Sequence, residues 1–454
     1  MPNELLISLM AEAGTSNKGL AKRMRDLGHQ RGAALGTTHV SVQRWRAGSG
    51  IQPRAAALLR DVLSGLLNRR LTLAELGFAH EPEPTAPPAG GYPPSPREAL
   101  AALDGLAATD PGTMVVGPLN MSGDGLDSVV LTWLLARPDG IPAGAASDRR
   151  IGMRDVHAIR TAGEMFMKLD FLYGGGHGHR ALRHYFRHEV LPLLSGSHSE
   201  KVGIALFSAA TEIGQLLAWT AYDTGKHELA RHYLVSTLRL TQVTGDRMAG
   251  SRILSNLSHQ ANYLGHRDQA VRLARAATEG ARHHATPRAM ALYSAMEARA
   301  LGRAQDGVGA ARAMNEAERH FEKADTGDDP GWLAYFNAAE LQGELAHCFR
   351  DLRQHRSAVH HARRAVDQTD PQYARTLGFC RMVLAQSLLL HGELDEALSM
   401  ATRAVEEGDS LQSARFLGYV TDFQHEVTAY AGHARTADFH DRVRSALVRM
   451  DDED

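Results

Sequence analysis

Apolar residues recur at helical spacing from the start of the chain: Leu5, Leu6 and Leu9, then Leu20, Ala21, Met24 and Leu27, then Val42 and Trp45. Three short helices are predicted. Ser16 is placed to cap the second, and Thr37 or Thr38 the third, after a glycine-rich turn containing Gly28, Gly32 and Gly36. A fourth begins at Pro53, since proline is favoured at the first helical position. In the third helix, THVSVQRWRAG, Val42 and Trp45 lie three apart and face the core, which turns His39, Val40, Gln43 and Arg44 outward.

The second half of the chain repeats itself. Turn-like segments precede an alanine at GKHELA (Ala230), GHRDQA (Ala270), QDGVGA (Ala310), QHRSA (Ala358), GELDEA (Ala397) and GHARTA (Ala437), at successive separations of 40, 40, 48, 39 and 40. Two helical turns further on stand Ala277, Ala317, Ala365 and Ala404, on the same face as their predecessors. Alanine removes bulk at a helix crossing and lets stacked hairpins approach closely. The pattern predicts an all-α chain: a helical N-terminal domain over 1–78, a proline- and glycine-rich linker over 79–98, an intermediate region over 99–150, and a helical repeat domain over 151–450. The intermediate region shows one apolar helix signal, Val129 to Ala136.

Charge sharpens this division. The whole chain is close to neutral at −2, yet residues 1–80 hold eleven Lys and Arg against five Asp and Glu. A compact basic unit suits a polyanion such as double-stranded DNA, although a solvated basic face has the same composition. Hydrophobic residues at 43% and charged residues at 22% belong to a folded globular protein. The N-terminus lacks a basic signal region and no run of eighteen apolar residues follows, so a cytoplasmic protein with no membrane partner is expected. Cys348 and Cys380 are the only cysteines and too far apart for a disulfide framework or a Cys-based zinc site.

The N-terminal pattern resembles the lambda-repressor-like, or Xre-type, helix-turn-helix family. Leu20-Ala21 matches its second helix, Val42, Trp45 and Gly48 match its third, and Pro53 matches the start of its fourth. The segment GHQRGAALG is longer than the family's turn, and Arg46 stands where an acidic residue is common. The resemblance implies that His39, Gln43 and Arg44 reach base edges in a major groove. It implies that Lys18, Lys22, Arg46 and Arg54 hold phosphates, with Ser16, Thr38, Val40 and Ser41 completing the DNA-facing set.

The repeats resemble tetratricopeptide units, GELDEALSMATRAVEEG being the clearest copy, and the segments GMRDVHAIR, LLAWTAYDTG and DDPGWLAYFNAAELQGELA resemble streptomycete-type regulators of differentiation and secondary metabolism. That geometry implies concave helices at roughly 246–264, 287–303, 331–351, 372–391 and 411–431. On them Arg252, Asn256, Gln260, Tyr293, Asn337, Gln342, Arg375 and Tyr419 are candidate contacts for an effector, which could be a small molecule, a peptide or a protein.

Other constellations carry less. His184 and His188 stand four apart, after His177 and His179, but no acidic or cysteine ligand is placed near them in HEXXH style, and no metal is expected. The run GGGHGH lacks the Lys and Ser/Thr of a phosphate loop and reads as a turn between helices. No catalytic arrangement, and no cofactor, is indicated. Two classes of function remain: a DNA-binding transcription regulator, expected to be a homodimer, whose repeat array binds an effector, or a scaffold that grips a partner protein on its concave face without binding DNA.

Overall fold

Helical periodicity is realised as helix in both halves of the described chain. A computed structural model describes residues 2–30, 37–49, 51, 53–67, 69, 71, 75–78, 91–108, 124–142 and 150–451, excepting the side chains of 28–30, 53, 54, 57, 61, 124, 326 and 447–451. Among them every named element is helical, and extended chain pairs only at an isolated bridge between Arg150 and Ser197. Two compact units result, one holding the described residues up to 78 and the other those from 91 onward.

The first unit contains α1 (Glu4–Glu12), α2 (Asn17–Gln30), α3 (His39–Arg46) and α4 (Pro53–Leu66). Leu6, Leu9, Leu20, Met24, Val42, Trp45, Leu59 and Leu63 form its core. The first three helices each have a side chain that takes up an orphan amide at the start. Asn3 accepts from the Leu6 amide at 3.0 Å, Ser16 from the Gly19 amide at 3.1 Å, and Thr38 with Ser41 makes a reciprocal capping box at the head of α3. Gly28, expected in the turn, belongs to the last turn of α2; residues 31–36, including Gly32 and Gly36, lie outside the described residues.

The second unit opens with a segment to which the sequence assigns no role. Here α5 (Pro96–Ala108) and α6 (Asp124–Leu135) brace the repeat array from outside. The sequence pattern misses α5, because its Ser95-Pro-Arg-Glu98 start merges with the linker; Ser95 in fact caps the Glu98 amide at 3.2 Å. Trp133, at the end of α6, is 1% exposed and donates to Thr241 Oγ1 at 2.8 Å. It enters a slot made by Gly250 and Gly280, where an added Cβ would meet its ring at 2.1 and 2.6 Å. Arg247 stacks on that ring and caps the carbonyls of Trp133, Leu134 and Ala136 at 3.0 to 3.2 Å.

The array itself alternates inner and outer helices. After α7 (Met153–Tyr173) and α8 (Gly175–Tyr185) come the pairs α9 (Glu200–Asp223) and α10 (His227–Thr244), α11 (Arg247–Tyr263) and α12 (Arg267–Ala281), and α13 (Pro287–Arg303) and α14 (Gly307–Glu322). Then come α15 (Ala338–Asp351) and α16 (His355–Gln368), α17 (Ala374–His391) and α18 (Leu394–Glu407), and finally α19 (Ala414–Val427) and α20 (Ala434–Asp451). Within the first five pairs the turn is built in one way. Gly225, Gly265, Gln305, Arg353 and Gly392 adopt left-handed φ values of 58 to 93°, and the next amide closes onto the carbonyl five residues back, as Lys226 onto Ala221 and His266 onto Ala261. The outer helix then begins at the same phase each time, so Ala230, Ala270, Ala310, Ala358 and Ala397 are all fully buried.

The sixth turn departs from that rule. Gly432 is not left-handed, α20 enters rotated, and Thr436 is buried where the repeat predicts Ala437. The 48-residue interval also has a cause, since α14 and α15 are separated by an insertion with short 3₁₀ turns at Thr326–Asp328 and Gly331–Leu333. The helix expected from 331 therefore starts only at Ala338. By length and composition α9 alone among the described residues could cross a membrane, and most of it is buried inside the array.

Candidate functional site

In the first unit, α3 presents one exposed face. Val42 and Trp45 are buried, while His39, Val40, Gln43 and Arg44 are exposed, Val40 at 43%. Lys18 and Lys22 on α2 are exposed as well. The other residues of the DNA-facing set have structural duties. Ser16, Thr38 and Ser41 are the helix caps just described, and Arg46 is partly buried, donating to Asn17 Oδ1 at 3.0 Å from the end of α3 to the start of α2. Its carbonyl accepts from the Asn3 amide at 2.9 Å, so Arg46 ties three helices together. The Arg54 side chain lies outside the described residues.

In the second unit the site is interior. The run Gly174-Gly175-Gly176, expected to be a turn, starts α8 and permits close backbone approach. A Cβ on Gly174 would meet the Gln412 carbonyl at 2.8 Å, and one on Gly175 the Thr220 carbonyl at 2.8 Å. Through this corner Gln412 N–H donates to the Tyr173 carbonyl at 2.8 Å, and Gly176 N–H to the Gln412 carbonyl at 2.9 Å. The first helices of the array thus meet its last repeat, and the row of inner helices closes around a cavity of about 150 Å³.

A buried charge cluster fastens that closure. Arg375 on α17 bonds Asp170 on α7 at 2.8 Å and Asp223 on α9 at 3.3 Å; Arg415 on α19 reaches the same Asp223 oxygen at 3.4 Å, and the Gly175 amide donates to its other oxygen at 2.9 Å. Asp223 is fully buried, so these bonds replace its hydration. Arg415 lies inside an aromatic cage of Tyr222 at 4.6 Å, Phe379 at 4.9 Å, Trp219 at 5.2 Å and Tyr263 at 5.9 Å. Burial pushes the Asp170 carboxyl up to about 6 against the pull of Arg375. A second pair forms where Arg299 bonds Glu344 at 2.8 Å, and the same guanidinium donates to the Tyr419 hydroxyl at 3.2 Å. Burial and the neighbouring Glu344 push Glu340 up to about 7, while burial and nearby arginines hold His259 and His347 well below the ordinary histidine value, hence neutral.

Of the eight candidate effector contacts, Arg252, Asn256, Arg375 and Tyr419 line this cavity. The other four do not. Gln260 donates to the His227 carbonyl at 2.9 Å, Tyr293 is buried and donates to the Met248 carbonyl at 2.7 Å, Gln342 pairs with His361 at 2.8 Å, and Asn337 is the exposed N-cap of α15. Sequence reasoning misses Asp170 and Phe171 on α7, Trp219 on α9, Arg299 on α13 and Arg415 on α19. The insertion before α15 is a usable signal, because its Tyr335 and Phe336 line the cavity and its Trp332 covers Arg252.

His184 and His188 lie with ring centres 4.4 Å apart and planes tilted by 40°, and His179 is buried against Thr220 Oγ1 at 2.8 Å; among the described residues no group of three metal-ligating side chains converges. Residues 6–79 match the family model described as the SP15 N-terminal domain, to which the first unit is therefore similar. No curated protein matches the chain.

Proposed function

We propose that the chain is a cytoplasmic DNA-binding transcription regulator, acting as a homodimer, whose repeat array receives an effector. One observation carries this reading: the short capped helix α3 turns His39, Val40, Gln43 and Arg44 outward from a core anchored by Val42 and Trp45, in a unit with a basic excess. Those side chains are of the types that read base edges, Arg pairing with guanine and Gln with adenine. Exposed Lys18 and Lys22 are suited to phosphates, whereas Arg46 acts within the fold. Two copies would read two half-sites.

A scaffold that grips a partner protein on its inner face has less support, because the inner helices converge on a small cavity and none of the residues lining it is exposed. Sequencing genomic fragments captured by the purified chain tests the regulator reading. An enriched, two-fold symmetric sequence is expected, and Arg44→Ala is expected to abolish its gel shift while leaving the melting temperature unchanged. No enriched sequence, or an unaltered shift with the variant, refutes it.

A further inference from the structure

The cavity contains one cation that the ion-pair cluster leaves out. Arg375 and Arg415 share Asp170 and Asp223, and Arg299 has Glu344. Arg252, 8% exposed, lines the same cavity with its guanidinium 4.2 Å from the Trp332 ring centre, and has no hydrogen bond or ion pair among the described residues. Glu212 acts on it electrostatically but is itself bonded to Arg160 at 3.4 Å. Burial lowers the proton affinity of the Arg252 guanidinium more than its neighbours, Glu212 among them, raise it.

Further unused polar atoms lie beside it. On the same face of α11, at i+3 and i+4, Ser255 Oγ and Asn256 Nδ2 are buried without a hydrogen-bond partner, and so is Gln215 Oε1 on the adjacent α9. Leaving such groups unpaired is costly, and clusters of them mark where a bound molecule supplies the partners. A fork of guanidinium donors flanked by an amide N–H₂ and a hydroxyl has the composition that receives a planar carboxylate.

We propose that this cavity binds a small organic monocarboxylate, its carboxylate taken by Arg252 with Asn256 and Ser255, and its apolar body lying against Leu216, Trp219 and Met296. The size follows from the volume: about 150 Å³ holds one aromatic ring or a short alkyl chain, not a peptide. The charge follows from the lining: Arg375, Arg415 and Arg299 already have carboxylate partners, so a single negative charge balances Arg252, and a dianion such as a phosphate monoester would leave a buried charge uncompensated. This names the effector class for the regulator reading, and it concerns the second unit alone.

The test uses the purified full chain without DNA. Phenylacetate and butyrate at millimolar concentration are expected to raise the melting temperature and to change tryptophan fluorescence, phenylacetamide and phenyl phosphate to do neither. Arg252→Met is expected to weaken phenylacetate binding at least about tenfold by calorimetry, the loss of one charge-assisted interaction, with no fall in the melting temperature of the unliganded protein. A second variant, Asn256→Asp, supplies the missing anion from within and is expected to abolish the phenylacetate response while raising the unliganded melting temperature. Equal response to acid and amide, preference for phenyl phosphate, no response to any probe, or binding that survives both variants overturns the proposal. A chain that binds phenylacetate but enriches no DNA retains this inference and loses the regulator reading; the converse result separates them the other way.

Discussion

The outward face of α3 and the inner cavity of the repeat array handle polar residues in opposite ways. On α3 the polar side chains stand in water, and the helix is held by two apolar residues on its far side and by a capping box at its head. In the cavity the charged residues are themselves buried: Arg375, Arg415, Arg299, Asp170 and Asp223 hold inner helices from α7 to α19 around one space. An exposed polar residue can be exchanged with little effect on the fold. A buried ion pair costs several kcal/mol to desolvate, so its geometry must be nearly complete and the loss of one member is severe. Binding chemistry and fold stability are therefore separable on α3 and entangled in the cavity.

Three changes break or sharpen that contrast. The largest effect is expected from Arg375→Ala, which strands Asp170 in the interior, leaves Asp223 to Arg415 and the Gly175 amide, and should cost about 3–5 kcal/mol in urea unfolding of the second unit. A loss below about 1 kcal/mol would place the cluster in the class of surface pairs.

A smaller effect concerns Glu340. In the folded chain it keeps its proton up to about pH 7, whereas an ordinary glutamate releases it near 4.5, so its contribution to stability is complete below 4.5 and is lost as the pH rises through 7. Melting temperatures measured across that window should fall less steeply for Glu340→Gln than for the unaltered chain. Parallel curves would mean that the buried proton resides elsewhere.

The smallest is Thr38→Ala, which removes the cap of α3 and should lower the stability of the first unit by about 1 kcal/mol while leaving the cavity and its fluorescence unchanged. Because the DNA-facing side chains remain, gel shifts should weaken only as far as α3 frays. A complete loss of binding would instead give Thr38 a direct contact.

Local signals are legible in the sequence and long-range ones are not. The alanine spacing locates the outer helices, because each left-handed turn restarts the helix at a fixed phase and small residues must then recur at the crossing. It fails at Ala437, where the turn at Gly432 has another geometry. The α5 helix is hidden by the prolines around it, and GGGHGH passes for a turn because three glycines read locally as a helix breaker. Their purpose is close approach to Gln412 and Thr220, more than two hundred and about forty residues away.

From the sequence alone come the helices of the first unit, the paired hairpins of the repeats, the basic N-terminal charge and the outward residues of α3, since all rest on periodicity, capping and charge within a few turns of chain. The closure of the array, the meeting of Asp170 with Arg375 at a separation of 205 residues, and the isolation of Arg252 among paired charges were decided only by the tertiary structure. Small rotations between successive hairpins accumulate, and only their sum determines which buried charges find one another and which remains without a partner at the cavity wall.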